Sequence, residues 1–281
     1  MAGEAIWLVN TAVMAAPLVL AAMGGLLSER SGVMNIALEG KMLMAACTLA
    51  LIGASTGNAV LALFSAIGVA TLMSLGHYLL TQTYKIDHVV SGMALNALAL
   101  GGAKFLSDKF GDPTKSVAFL PIEVYIGSAL ILPVILGLWL AKTRAGLRLL
   151  AVGNSPEKCR QIGLNPLVVR FGALIGTGLC CGLSGAMIVT NAGQFGEYVT
   201  AGKGFIALAA LILGGWRPIP TLVAAIGFGL IQAVQLQLQG VKIGAAEIPS
   251  EVWNGLPYLA TLVTLIVLGS KSRAPAGMGQ H

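Results

Sequence analysis

The chain has 281 residues, 56% of them hydrophobic and only 10% charged, against roughly 25% charged in an average soluble domain, and its mean hydropathy is +0.85. That composition excludes a water-soluble domain and points to an all-α polytopic membrane protein. The net charge is a modest +6, and the basic residues gather between 142 and 170 rather than in a stripe with interleaved aromatics, so the expected partner is the lipid bilayer and not nucleic acid.

In chain order, the apolar runs long enough to cross a hydrocarbon layer of about 30 Å are 6–27, 58–80, 88–106, 122–141, 170–190, 219–238 and 252–269. The first begins without a basic leader and is too long for a signal peptide, so it is expected to remain as a span. Two shorter runs remain, 41–54 and 204–216. At 1.5 Å per residue, a helix of about 14 residues reaches only about 21 Å, so each short run crosses only if the Gly-rich polar stretch before it completes the passage. Both are candidate broken helices.

The first such stretch holds Ser28, Glu29, Arg30, Asn35, Glu39 and Lys41, bracketed by Gly32 and Gly40. The two glycines allow a break whose exposed backbone needs protein or water around it rather than lipid. Asn35 is placed to face that environment and is a candidate for solute contact, as is Glu39, while Glu29, Arg30 and Lys41 are read as holding the break. Other uncharged polar residues lie within or at the start of runs: Asn10, Ser91, Asn96, Gln232, Gln235 and Asn254. Singly each can be a helix–helix hydrogen bond. As a set they suggest a path for a neutral polar solute.

Orientation follows from the basic connection 141–170, where Lys142, Arg144, Arg148, Lys158, Arg160 and Arg170 face only Glu157. That segment belongs in the cytoplasm. About nine crossings (8–10), with a cytoplasmic C-terminus, then keep Lys85, Arg217, Lys271 and Arg273 inside as well. Long run, polar loop, short run, long run, long run occurs twice, at an offset of 163 residues between Lys41 and Gly204 and again between Gly92 and Gly255. Five crossings per unit would invert the second unit relative to the first. The chain is thus read as one permease domain, 1–281, made of a first repeat (6–141), a connecting segment (142–169) and a second repeat (170–270).

No catalytic constellation is expected. The chain has no G-x-x-x-x-G-K-[ST] loop, since Lys41 is followed by Met42, and no H-E-x-x-H motif. Cys47, Cys159, Cys180 and Cys181 lack metal-ligand spacing, and His77, His88 and His281 are isolated and read as interfacial or terminal. No metal site is indicated. In the connecting segment, Pro156 after Asn154 and Ser155, with Gly163 near the end, delimits one short helix, "PEKCRQIG", which is either a docking knob or an ordinary basic loop.

The stretches "GLLSERSGVMNIALEGKMLMAA" (25–46), "VVSGMALNALALG" (89–101), "TRAGLRLLAVGNSPEKCRQIGLN" (143–165) and "GKGFIALAALILGGWRPIPTLVAAIGFG" (202–229) resemble the permease subunits of bacterial ABC importers. Within the ribose and branched-chain amino acid permease superfamily, the likeness is greatest to the shorter permease of nucleoside and simple-sugar importers. The resemblance implies a type II importer-like fold in the bacterial inner membrane, a second permease as heterodimer partner, a cytoplasmic ATPase carrying the ATP and Mg, and an external solute-binding protein. This chain would carry no cofactor. Arg144, Gly153, Asn154, Pro156, Glu157, Arg160 and Gly163 would then form the segment that couples to the ATPase. The implied solute is a nucleoside, with a simple sugar, a riboflavin-like compound or an amino acid as alternatives. A self-contained carrier or channel is the competing class, permitted by the repeat alone.

Overall fold

The computed structural model describes residues 2–112, 115–239, 242–243, 246–247, 250–268 and 273–280. Among the described residues, seven helices are long and apolar enough to span a bilayer: α1 (Ala2–Arg30), α2 (Leu38–Thr56), α3 (Ala59–Tyr78, continued by a π-helical turn at Leu79–Thr83), α4 (His88–Phe110), α5 (Ile122–Lys142), α8 (Pro166–Ala192) and α10 (Pro218–Leu238). Between α5 and α8 lie α6 (Arg144–Asn154) and α7 (Pro156–Gln161). Two further apolar helices are α9 (Lys203–Leu213) and α11 (Ser250–Leu268), the latter preceded by the two-residue strands β1 (Lys242–Ile243) and β2 (Ala246–Glu247). The protein is a multi-pass membrane protein.

Local chemistry sets the helix ends. The side chain of Asn58 accepts from the amides of Val60 and Leu61, that of Asp87 from Val89 and Val90, and that of Asn165 from Leu167, each relieving first-turn donors that have no partner within the helix. Proline stands in the first turn of α7, α8 and α10, where its missing N–H costs nothing. The left-handed Gly57 and Gly193 end α2 and α8.

Two expectations are corrected here. The run 41–54 is not short: α2 starts at Leu38 and has 19 residues, because Glu39 and Lys41 find partners inside the protein and so remain in the helix. The connecting segment holds two helices rather than one. Gly153 and Asn154 close α6, and Ser155 separates it from α7. Only α9, with 11 residues, is a short helix in the expected sense; it covers about 16 Å.

Burial ranks the helices. Most of α1, α2 and α8 is enclosed, whereas α3, α4, α5 and α10 turn most of their surface outward. α1 lies at the centre against α5, α8, α9 and α10, and α8 packs on α2 and α3 as well. Small residues let these backbones close up, since lipid tails are as apolar as leucine and association depends on close contact. A Cβ on Gly178 would lie 2.4 Å from Thr71 Cα, one on Gly182 2.6 Å from Ile67 Cα, and one on Gly229 2.6 Å from Ala15 Cα.

The C-terminal end of α1, the start of α8, the end of α9 and all of α6 gather at one end of the bundle. The segment 273–280 joins them: Gly277 N donates to the Gly153 carbonyl at 2.9 Å and Gly279 N to the Gly32 carbonyl at 2.9 Å. Gly153 has no room for a side chain, because a Cβ there would stand 1.9 Å from the Arg30 carbonyl oxygen.

Gly182→Leu should therefore push α3 off α8 and lower the midpoint of thermal unfolding in detergent, at a cost of about 1–3 kcal/mol or more. Gly68→Ala on α3 meets no atom within 4 Å and should leave the midpoint unchanged.

Candidate translocation path and the polar break beside it

Between Arg30 and Leu38 the chain leaves the helix and re-enters it. Gly32, at φ +95°, makes the turn that a side chain would strain. The Ser28 carbonyl accepts from Ser31 N at 3.1 Å and Val33 N at 3.0 Å, and the Glu29 carbonyl accepts from Gly32 N at 3.0 Å, so the last carbonyls of α1 are not left bare. The side chains that follow form one buried network. Glu29 accepts from the indole N–H of Trp216 at 2.6 Å and from Asn35 N at 3.4 Å. Asn35 Nδ2 donates to Ser28 Oγ at 3.1 Å, and its Oδ1 accepts from Lys41 Nζ at 2.9 Å. Ser28, Asn35 and Lys41 are fully buried and Glu29 nearly so.

The break and the start of α2 are tied to residues from four other places, α3, α4, α8 and the start of α9. Asn96 on α4 uses both ends of its amide, Oδ1 accepting from Gly40 N at 2.8 Å and Nδ2 donating to the Ile36 carbonyl at 3.0 Å. Glu39 accepts from Gly202 N at 2.8 Å and Gly204 N at 2.6 Å, so its carboxylate caps the N-terminus of α9 in place of a side-chain cap, which α9 lacks. His77 spans Ser91 Oγ at 2.9 Å and the Met34 carbonyl at 3.0 Å. The carbonyl can only accept, so in the neutral ring Nε2 carries the proton and Nδ1 accepts from the Ser91 hydroxyl. His88 Nδ1 accepts from Met34 N at 3.1 Å. Arg170, fully buried in the first turns of α8, donates from Nε to the Ser31 carbonyl at 3.2 Å and from Nη1 to Gln82 Oε1 at 2.5 Å.

This geometry redistributes the expected solute residues. Asn35, Glu39, Ser91 and Asn96 are brought together, but their polar atoms are engaged by protein groups and hold the break. Gln232 and Asn254 lie elsewhere. They line a cavity of about 480 Å³ at the end of the bundle away from α6, among the end of α8, the start of α9, the end of α10 and the start of α11. Gln235, Asn191, Lys203 and Tyr258 also line it. Asn254 Oδ1 accepts from Gln235 and Gln239, each at 2.9 Å, and the Tyr258 hydroxyl donates to the Ala201 carbonyl. The Gln232 side chain has no hydrogen bond to another described residue. The wall is thus amide, phenol and aliphatic surface with one lysine, able to bind a neutral polar molecule by donor and acceptor pairs.

Sequence reasoning missed Trp216, Gln82 and Arg170, and read His77 and His88 as interfacial; the structure buries both histidines against the break. A signal existed for Arg170, which stands inside an apolar stretch, Leu167 to Ile175, rather than at its edge. Nothing local marks Trp216 as the partner of Glu29, 187 residues away.

The proposed coupling residues divide by exposure. Arg144, Asn154, Glu157, Arg160 and Gly163 lie on the surface, whereas Gly153 and Pro156 are buried. Those two seat α6 and α7 on the bundle, Gly153 against Arg30 and Pro156 against Gly277. Ile162, not anticipated, is 81% exposed beside the left-handed Gly163 (φ +81°). All four cysteines are free and buried, and among the described residues no cluster of His, Cys, Asp and Glu suits a metal ion.

A bundle of membrane-spanning helices around a polar-lined cavity, with a short helical pair at one end, defines a permease. Comparison with known proteins places it more closely: the chain belongs to the family of permease components of branched-chain amino acid transport systems, whose profile matches residues 7–268. It is 35% identical to the guanosine ABC transporter permease NupQ of Bacillus subtilis, over 96% of this chain and 93% of that one. It is 30% identical to the nucleoside ABC transporter permease NupC of Lactococcus lactis, over 96% and 94%. A putative glucose ABC transporter permease of Haloferax volcanii is 32% identical over 92% and 90%.

Glu39→Ala should remove both acceptors at the start of α9 and destabilise the protein by about 1.5–3 kcal/mol, as for hydrogen bonds to a charged group. Glu39→Gln keeps one acceptor and should fall between. Thermal unfolding in detergent reads both; two variants indistinguishable from the parent would remove the capping role.

Proposed function

We propose that this chain is a permease subunit of an ATP-driven importer and that its solute is a nucleoside. The single observation that carries the solute class is the 480 Å³ cavity, which offers the amides of Gln232, Gln235, Asn191 and Asn254 and the ring of Tyr258. A nucleoside presents a base edge and ribose hydroxyls, which pair with amides, and a ring face, which packs on a phenol. The lone Lys203 does not favour a cationic solute. Nucleoside and guanosine permeases among the relatives support the same reading.

In this reading ATP and Mg reside on a cytoplasmic ATPase, an external binding protein delivers the solute, and a second, different permease completes the path. The C-terminus is cytoplasmic in a bacterial inner membrane. Support comes from Gly277, which bonds to the Gly153 carbonyl and so sets the C-terminal segment beside the basic α6. The exposed Glu157, Arg160 and Ile162 form the knob offered to the ATPase.

Nine crossings in two inverted repeats accord with the packing. Exchanging α1 with α8, α2 with α9 and α3 with α10 turns the α3–α8 contact into α10–α1, and α2–α8 into α9–α1. Glu39 and its hydrogen-bond partner Gly202 are 163 residues apart, the same offset as the repeat. A residue touches its own repeat mate only near the axis that relates the two units, so this contact sits where one half would move against the other.

Gln232→Ala and Asn254→Ala should each raise the KM for nucleoside uptake about 5- to 30-fold, the effect of losing roughly 1–2 kcal/mol, while ATPase activity without solute stays near normal. Proteoliposomes holding both permeases and the ATPase measure this. Unchanged KM in both variants would remove the cavity from the path. Separately, Glu157→Ala with Arg160→Ala should weaken capture of the ATPase by the detergent-solubilised permease and lower uptake in proportion. Full uptake by this chain alone, without ATPase, would favour a self-contained carrier.

A further inference from the structure

A second cavity, of about 490 Å³, lies between α5, α6 and the first half of α8, on the opposite end of the bundle from the amide-lined one. Its floor is Leu27, Leu149 and Ala173, all buried, and its lips are the exposed Ile135 and Val168. Gly172 widens it, since a Cβ there would meet no atom within 4 Å. Among the described residues lining it, Arg148 alone is charged.

We propose that this groove holds an acyl chain of an anionic phospholipid from the leaflet beside α6 and α7, with Arg148 binding the headgroup phosphate. Three features converge on that occupant. The groove is cut into membrane-spanning helices, α5 and α8, so hydrocarbon rather than water is its solvent. Its mouth is formed by α6, an amphipathic helix that buries Leu149 and Val152 and exposes Arg144 and Arg148, the pattern of a helix lying in the bilayer interface. These two arginines are four residues apart and share a helix face. Trp139 lines the same mouth, at the depth where indole rings gather. Basic pockets between spans on the cytoplasmic side suit anionic headgroups. The groove's volume lies within the range of about 300–1,000 Å³ typical of small-ligand sites. A guanidinium meets a phosphate through paired N–H donors, which a zwitterionic headgroup partly masks with its own ammonium.

The test uses the full-length chain in lipid nanodiscs of phosphatidylglycerol or phosphatidylcholine, released into detergent for mass spectrometry of the intact protein with its retained lipid. The parent protein should retain one phosphatidylglycerol in preference to phosphatidylcholine by about fivefold, the effect of one basic residue at an anionic surface. Arg148→Gln should keep a lipid but lose the preference. Gly172→Leu should retain neither. Arg148 is exposed and Gly172 faces open space, so both variants should unfold at the parental temperature in lipid-free detergent. Equal retention of the two lipids by the parent, or undiminished retention by Gly172→Leu, overturns the proposal. So does a Val168→Cys variant that cross-links fully to another polypeptide in the assembled transporter, which would make the occupant a protein.

Discussion

Hydrocarbon offers no hydrogen bonds, and between Arg30 and Leu38 the chain abandons its helix inside a bundle built to stand in hydrocarbon. Each backbone group freed there costs several kcal/mol unless a partner is supplied. The surrounding architecture supplies them. Asn96 reaches from α4 to Ile36 and Gly40, His77 and His88 take the two sides of the Met34 peptide, Arg170 covers the Ser31 carbonyl, and Trp216 and Asn35 close on Glu29. Four parts of the chain, α3, α4, α8 and the turn after α9, are thereby drawn to one short turn, and α1 becomes the centre of the bundle because its end must be surrounded.

The same requirement links the two halves. Glu39 serves α2 from within its first turn and at the same time caps α9 through Gly202 and Gly204. A carboxylate at a helix N-terminus meets the positive end of the dipole, so one side chain offsets the polarity of the second broken segment. The charged residues of the break are structural before they are anything else. The amide-lined cavity is separate from this network, and the Gln232 side chain there has no described protein partner. The break and the cavity are thus built from different residues of the same bundle.

At the opposite end, Gly153 joins three things: the last turn of α6, the Arg30 carbonyl it abuts and the C-terminal segment it receives through Gly277. Any displacement of α6 would be felt at the end of α1 within one contact. α7 presents its charged side and Ile162 outward while Pro156 and Cys159 anchor it. A short helix of this kind keeps a fixed shape because its inner face is packed, which is what a docking surface requires.

The sequence by itself determined the class of protein, the apolar runs and the polar break with its glycines, because lipid exposure and backbone chemistry act locally and leave their mark in composition and period. It also marked Asn35, Glu39 and Lys41 around the break, and Asn96 within an apolar run, as special. It did not say whether a polar residue in an apolar run faces a partner or a path, since both demand the same side chains. Only the tertiary structure decided that. It engaged Asn35 with Ser28 and Lys41, Ser91 with His77, Asn96 with the backbone of Ile36 and Gly40, and Glu39 with the start of α9, left Gln232 and Asn254 at the cavity, and paired Glu29 with Trp216 across 187 residues. It also lengthened α2 beyond its apolar run, because burial among partners, and not hydropathy, decides whether Glu39 and Lys41 can lie in a helix. A hydrogen-bond partner is a property of the folded bundle, and no stretch of sequence carries it alone.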